Sequence, residues 1–217
     1  MGYSKSLADT YAKNRNRYRS SDKFLTPLLK KVGIKGATVL DFGCGDGSEA
    51  ERLLAMGAKK IVGVDSSAQM IRLAKAKKLP KSEFSISGAK LKQKAGQFDI
   101  VFSRFVLHYI RDLRGQFKEL SRVTKKGGYF LALFQCLTDD PKLINTQLPI
   151  NLGKGKNVTK IKILAKSIDM IVEDLNKAGF KATKVLKVKN SDSSIDPSYK
   201  NRLRFKNSTY VLLAEKV

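Results

Sequence analysis

The segment Val39-Leu40-Asp41-Phe42-Gly43-Cys44-Gly45-Asp46-Gly47 constrains this chain more than any other, because it joins an apolar strand to a glycine-rich turn and then to a helical pattern. Glycine at positions 43, 45 and 47 permits left-handed backbone and the close approach of a ligand that a Cβ would obstruct. The helix that follows, read roughly from Asp46 to Met56, aims its unpaired N–H groups at the same place. A strand, a tight turn and a helix in that order open a parallel α/β sheet whose ligand sits beyond the carboxyl ends of the strands.

Spacing and flanking charge narrow the ligand. Dinucleotide folds usually carry G-x-G-x-x-G, with a pyrophosphate on the helix N-terminus. This chain has Gly-x-Gly-x-Gly between Asp41 and Asp46, so carboxylates stand where a diphosphate would have to lie and would repel it. A ligand with a cationic portion and no phosphate fits better. Lys60-Ile61-Val62-Gly63-Val64-Asp65 then reads as a second strand ending in an acid, roughly 20 residues past the glycines and suited to a ribose diol. An adenosyl sulfonium meets both conditions.

Four blocks together resemble the class I S-adenosylmethionine-dependent methyltransferases, and most closely the small-molecule group of the ubiquinone and menaquinone type. They are Val39–Gly47, Gly63-Val64-Asp65-Ser66-Ser67-Ala68-Gln69-Met70-Ile71, Phe98–Ile110, and Lys125-Lys126-Gly127-Gly128-Tyr129-Phe130-Leu131-Ala132-Leu133. The resemblance covers about residues 37 to 135. It implies a Rossmann-like three-layer sandwich on a seven-stranded, mostly parallel sheet of order 3-2-1-4-5-7-6 with the last strand antiparallel. It also implies S-adenosyl-L-methionine as cofactor and S-adenosyl-L-homocysteine as product.

Composition allows one core and argues against several other classes. A chain of 217 residues that is 42% hydrophobic supports one sizeable domain over 1–217. No apolar run is long enough for a membrane span and the polar N-terminus lacks a signal-peptide core, which together suggest a cytoplasmic protein. The two cysteines, Cys44 and Cys136, form neither a disulfide framework nor a metal motif, so no metal is expected. The net charge of +24 suggests nucleic acid, but lysine outnumbers arginine and is spread along nearly every segment, so a solvated surface is favoured over a dedicated track. The best local exception is an arm carrying Lys13, Arg15, Arg17, Arg19 and Lys23 interleaved with Tyr11 and Tyr18, which could stack on bases.

Alternating apolar runs and helical patterns place strands near 37–41, 60–64, 82–86, 97–102, 128–135, 180–188 and 207–216. Ser66 with Gln69 reads as a capping box, Asp112 and Ser167 as helix caps, and Gly127 and Gly179 as helix stops. Leu113, Phe117, Leu120 and Val123 recur at helical spacing, as do Ile168, Ile171, Val172 and Leu175; both stripes are core. Lysines interleaved through Phe180–Val188 mark an edge strand, whereas Tyr210–Ala214 is apolar throughout, as a strand covered on both faces must be.

The resemblance assigns roles residue by residue. Gly43, Cys44 and Gly45 would approach the methionine part of the cofactor, with Asp41 near its cationic groups. Asp65 would hold the ribose with Ser66, and Met70 would pack on adenine. Gly88-Ala89 stands where relatives carry Asp-Ala, so the carboxylate that accepts the adenine amino group is missing and the Ala89 N–H remains. After the fourth strand, Ser103, Arg104 and Phe105 reach the carboxyl edge, without the Asn/Asp-Pro-Pro-Tyr/Phe motif linked to adenine methylation. His108, the only histidine, is the candidate general base. Residues 1–35 would cap the cofactor, and an insertion at 137–162 with Pro141, Pro149, Gly153, Gly155, Lys154, Lys156 and Lys160 would form a substrate lid. The expected acceptor is a small molecule. An RNA methyltransferase using the basic arm, or a silent S-adenosylmethionine-binding module, are the alternatives.

Overall fold

The computed structural model describes residues 21–136, 146–152, 159–188 and 208–217. In chain order the elements are α1 (Asp22–Lys31), β1 (Thr38–Phe42), α2 (Ser48–Ala55), β2 (Lys60–Asp65), α3 (Ala68–Ala76), β3 (Ser82–Ile86), β4 (Phe98–Arg104), a 3₁₀ turn (Leu107–Tyr109), α4 (Leu113–Val123), β5 (Thr124–Cys136), β6 (Gln147–Leu152), β7 (Thr159–Leu164), α5 (Ile168–Lys177), β8 (Phe180–Val188) and β9 (Ser208–Lys216). Seven of these strands form one sheet in the order β3-β2-β1-β4-β5-β9-β8, with β9 antiparallel to both neighbours. This is the implied 3-2-1-4-5-7-6 order.

The sheet is covered on both faces, and the period of two along each strand decides which residue goes where. Leu40, Val62, Val101 and Phe130 face a core built with Leu113, Phe117 and Leu120 of α4 and with Leu175 of α5. Val39, Ile61, Ile100 and Leu131 face the opposite core, with Leu25 and Leu29 of α1, Leu53 of α2 and Ile71 of α3. Tyr210–Ala214 is buried on both faces between β5 and β8, and β8 with its exposed lysines takes the edge.

Several local expectations are corrected. The cap of α3 is Ser67, not Ser66: the Ser67 hydroxyl accepts the Met70 N–H at 3.3 Å, while Ser66 is exposed. Helix α4 does not run on to Gly127. It ends at Val123, where Thr124 donates its hydroxyl to the Leu120 carbonyl at 2.6 Å and β5 begins. Gly127, at φ +72°, instead serves the irregular start of that strand, where the register against β4 shifts. Asp112 and Ser167 cap their helices as expected, accepting the Gly115 and Met170 N–H groups. The 137–162 insertion contributes paired strands: β6 and β7 form an antiparallel ladder from Gln147↔Leu164 to Leu152↔Thr159. Of the basic arm only Lys23, in α1, is described; Tyr11, Lys13, Arg15, Arg17, Tyr18 and Arg19, together with Pro141, Gly153, Gly155, Lys154 and Lys156, lie outside the described residues.

Gly63 shows how tightly the cradle is packed from below. A Cβ there would stand 2.5 Å from Phe84 Cδ1 and 3.0 Å from Cys44 Sγ. Gly63→Ala is expected to cost about 2 kcal/mol through overpacking, lowering the thermal midpoint by roughly 6 °C. Differential scanning calorimetry of the two proteins measures this directly, and an unchanged midpoint would show that Phe84 has room to move.

Candidate cofactor-binding site

The period of two that sorts the core also assembles the site. Asp41, Asp65 and Arg104 lie at the carboxyl ends of β1, β2 and β4, each an even number of residues beyond a position that packs toward α1, α2 and α3. All three therefore project to that face. Ser103, one residue earlier than Arg104, projects to the other face, is fully buried, and donates its hydroxyl to the Phe42 carbonyl at 3.1 Å. The expectation that Ser103 faces the cofactor is not met; it fastens β4 to β1 just beneath the loop.

The glycine loop satisfies most of its own donors. The Gly43 and Cys44 N–H groups both donate to the Val64 carbonyl, at 2.8 and 3.0 Å, and the Gly47 N–H donates to the Cys44 carbonyl at 3.0 Å. The Gly45 N–H donates to Asp65 Oδ2 at 3.0 Å. Asp46 Oδ1 accepts both the N–H and the hydroxyl of Ser48, so the start of α2 already holds a carboxylate where a phosphate-binding loop would hold its ligand.

The glycines differ in purpose. At Gly43, φ is +77° and a Cβ would lie 2.1 Å from Val106 Cγ2, so this residue admits a protein side chain rather than a ligand. Cys44 is buried with its thiol pKa raised by burial, and packs inward. Only Gly45 of the three has open space on its Cβ side, with φ at +54°. Of the three positions expected to approach the methionine part, the open geometry is confined to Gly45.

The cradle is therefore rich in acceptors. Asp41 is 1% exposed, and its Oδ2 has no hydrogen-bond partner. Burial raises its pKa well above the ordinary carboxylate value, and the nearby Glu49, Asp65 and Asp46 push it the same way against Arg52. Asp65 accepts one N–H on each oxygen, from Gly45 and from Ser67, leaving further lone pairs on both. Burial raises its pKa also, opposed by those backbone bonds. A buried acceptor without a donor is costly, and a cationic donor from a ligand is what would satisfy it. The residues present fit a sulfonium-bearing amino acid attached to a ribose.

Neighbouring positions complete the edge. Ile86 pairs in register with Asp65 on the adjacent strand and is 53% exposed, an apolar side chain presented on the same face. In the sequence Ile86 carries no signal of this, being indistinguishable from ordinary strand hydrophobicity. Gly88 and Ala89 are exposed just beyond it, with nothing within 4 Å of a Cβ built on Gly88. Met70 is 4% exposed within the α3 stripe, and its backbone role is the Ser67 cap. The Arg104 side chain, 7% exposed, joins Asp22 of α1 at 2.9 Å and Glu49 of α2 at 2.6 Å, and donates to the Ser21 hydroxyl at 2.8 Å.

His108 does not have the geometry of a general base. It is 3% exposed, its Nδ1 accepts the Gln135 N–H at 3.4 Å, and burial pulls its pKa down to about 3. Its ring lies against Tyr109 and Phe105. So weak a base accepts a proton poorly near neutrality, and its role here is to hold the 3₁₀ turn on β5. Accordingly, the pH dependence of turnover is expected to show no rising limb from an imidazole between about pH 6 and 8. A limb that disappears in His108→Asn would reverse this assignment.

Comparison with known proteins agrees with this geometry. Residues 40–132 match the family model described as Methyltransferase domain. A Mesorhizobium loti S-adenosylmethionine-dependent methyltransferase structure superposes with a TM-score of 0.68 at 20% identity, covering 88% of this chain and 96% of that one. Residues 40–132, under half of this chain, thus resemble a methyltransferase domain, and the chain shares its fold with that solved S-adenosylmethionine-dependent methyltransferase. Among curated relatives, the tRNA U34 carboxymethyltransferase of Cellvibrio japonicus is 27% identical over 177 residues, 79% of this chain and 53% of that protein. The ubiquinone biosynthesis O-methyltransferase of Pelagibacter ubique is 32% identical over 115 residues, 52% of this chain and 44% of its own length. The chain spans about half the length of these relatives. No helix among the described residues is long and apolar enough to cross a membrane.

Proposed function

We propose that this protein transfers the methyl group of S-adenosyl-L-methionine to a small-molecule acceptor. The observation that carries the reading is the polarity of the cradle: its loop donors are turned inward, and a buried Asp41 oxygen is left without a partner. A dinucleotide or nucleoside triphosphate needs the opposite arrangement, with free N–H groups facing its phosphates. In this reading Asp41 faces the cationic part of the cofactor, Asp65 accepts from the ribose diol, and Ile86 offers adenine an apolar platform where Gly88 supplies no carboxylate. Ser66, exposed beside Asp65, can contact the ribose edge, and the Ala89 N–H can donate to the base.

When bound, the sulfonium supplies an electrophilic methyl carbon, so the chain's own task is to align an acceptor lone pair and exclude water. The hairpin of β6 and β7 lies beside the 107–109 turn at the same edge and is the proposed lid, with the helical segment before β1 as the cap. Relatives whose names specify ubiquinone biosynthesis and trans-aconitate support a small acceptor, while the tRNA-modifying relatives make RNA the competing one.

Calorimetric titration with S-adenosylmethionine, S-adenosylhomocysteine, ATP and NAD tests the cofactor. The first two are expected to bind and the last two to fail. Labelled methyl transfer to a small-metabolite extract, against a total tRNA pool, tests the acceptor. Comparable uptake of ATP or NAD would overturn the cofactor assignment, label only in tRNA would overturn the acceptor, and binding without transfer to either pool would point to a silent binding module.

A further inference from the structure

The sheet has a second edge, opposite the cradle, and its chemistry is the reverse. Every turn leading into the first three parallel strands and into β5 carries lysine. Lys31 and Lys35 precede β1, Lys59 precedes β2, Lys78 and Lys81 precede β3, and Lys126 lies at the start of β5. All six are exposed. Backbone bonds hold these turns side by side: Gly36 N–H to Gly57 carbonyl at 2.8 Å, Lys59 N–H to Ala37 carbonyl at 2.8 Å, and Ile61 N–H to Lys81 carbonyl at 3.0 Å. The Thr38 N–H to Asp99 Oδ2 bond at 2.8 Å and the Lys125–Asp99 ion pair at 2.6 Å carry the row on to β5. From β3 to β5 the row extends about 19 Å at roughly 4.8 Å per strand.

Two acids along it, Glu83 and Asp99, are already held by Lys60 and Lys125, and a third, Glu215, lies opposite Tyr129 on the neighbouring strand. None of the six lysines lies within ion-pair distance of a carboxylate among the described residues. No arginine or aromatic residue stands in these turns, so nothing there is suited to reading bases. Nor is any of the exposed large apolar side chains, Ile86, Val185 and Val217, found among them. The apolar anchors that usually hold a protein partner or seat a chain in a membrane interface are therefore missing from these turns. An extended row of point charges on long, flexible stems suits a phosphate backbone read without sequence preference.

We infer that the amino edge of the sheet is a docking platform for the phosphate backbone of a nucleic acid, separate from the methyl-transfer site. Because β1 puts about 17 Å of strand between the two edges, the docked stretch of backbone is not itself the methyl acceptor. The platform anchors the enzyme, and the inference does not depend on which acceptor is methylated. It also gives part of the +24 charge a location, away from the basic N-terminal arm.

The test compares two variants of equal charge by fluorescence anisotropy with short mixed-sequence RNA and DNA duplexes over a range of KCl concentrations. One removes the platform: Lys35→Gln, Lys59→Gln, Lys81→Gln and Lys126→Gln. The other removes exposed lysines elsewhere: Lys90→Gln, Lys118→Gln, Lys184→Gln and Lys187→Gln. The platform variant is expected to bind at least tenfold more weakly, with a slope of log affinity against log salt shallower by about 3 to 4. The other variant should change the slope by less than about 1. Equal losses in both variants would mean diffuse charge without a platform and would overturn the inference. So would an unchanged platform variant, or a wild-type protein that binds phosphatidylserine vesicles but neither duplex. Thermal midpoints of both variants check that the fold is retained.

Discussion

Asp41→Asn is expected to weaken S-adenosylmethionine binding about 100-fold while making the ligand-free protein more resistant to unfolding at neutral pH. The two effects have one cause. The Asp41 carboxyl is buried with an unpartnered oxygen and lies near Glu49, Asp65 and Asp46, so its negative charge is unfavourable until a cation arrives. Removing one partner from a buried charge pair costs about 3 kcal/mol or more, which sets the binding loss. In the absence of ligand the amide carries no charge to bury, so the same substitution relieves a penalty.

The pH dependence follows with a definite sign. In the unfolded chain Asp41 titrates as an ordinary carboxyl; in the fold its pKa is raised, first by burial and then by the neighbouring acids. The folded state therefore holds the proton to higher pH. That contribution to stability is fully present below the unfolded value and is lost as pH rises through the raised one. Asp41→Asn has no such loss, so its advantage over the wild type grows with pH. Cofactor binding favours the ionised carboxyl, and affinity should fall, with proton uptake linked to release, as pH drops below the raised value. Denaturant melts across pH, with calorimetry in two buffers of different ionisation enthalpy, measure both. An Asp41→Asn protein that binds the cofactor like the wild type would remove Asp41 from the site.

Arg104→Ala is expected to destabilise the fold by about 3 kcal/mol, a drop of roughly 10 °C in thermal midpoint. Arg104 joins β4 to α1 through Asp22 and Ser21, and to α2 through Glu49. Its loss leaves two partly buried carboxylates facing each other on the side where Asp41 already lies. Cofactor affinity should fall along with stability, because α2 begins immediately after the glycine loop. Arg104→Lys should recover only part of the loss, since a single ammonium cannot reproduce a planar fork spread over several partners. A full recovery by lysine would mean that charge alone, without geometry, fastens α1 and α2.

Both predictions concern residues whose meaning differed between sequence and structure. Asp41 and Asp65 were legible in the chain because each ends an apolar strand, and a strand's end in a parallel sheet is where a ligand binds. Gly43 and Gly45 looked alike as sequence, yet the fold gives one to Val106 and opens the other toward the cradle. Ser103 and Arg104 were read together at one edge, but adjacent strand residues point to opposite faces, so only Arg104 reaches the site. His108 as a base rested on its being the sole histidine; a burial of 97% and the bond from Gln135 arise from contacts that no local pattern encodes.

What the sequence by itself determined is the order and kind of the elements, because strand, glycine turn and amphipathic helix each follow from the spacing of apolar residues and from the backbone freedom of glycine. It also determined that the cofactor loop is flanked by acids. Only the tertiary structure decided which of those acids lacks a partner, which loop donors are spent inside the protein, and that lysines scattered over some 95 positions gather along one edge. Those outcomes depend on where distant strands come to lie beside one another, and hydrogen bonding, burial and the local field are properties of that arrangement, which the spacing of residues along the chain does not contain.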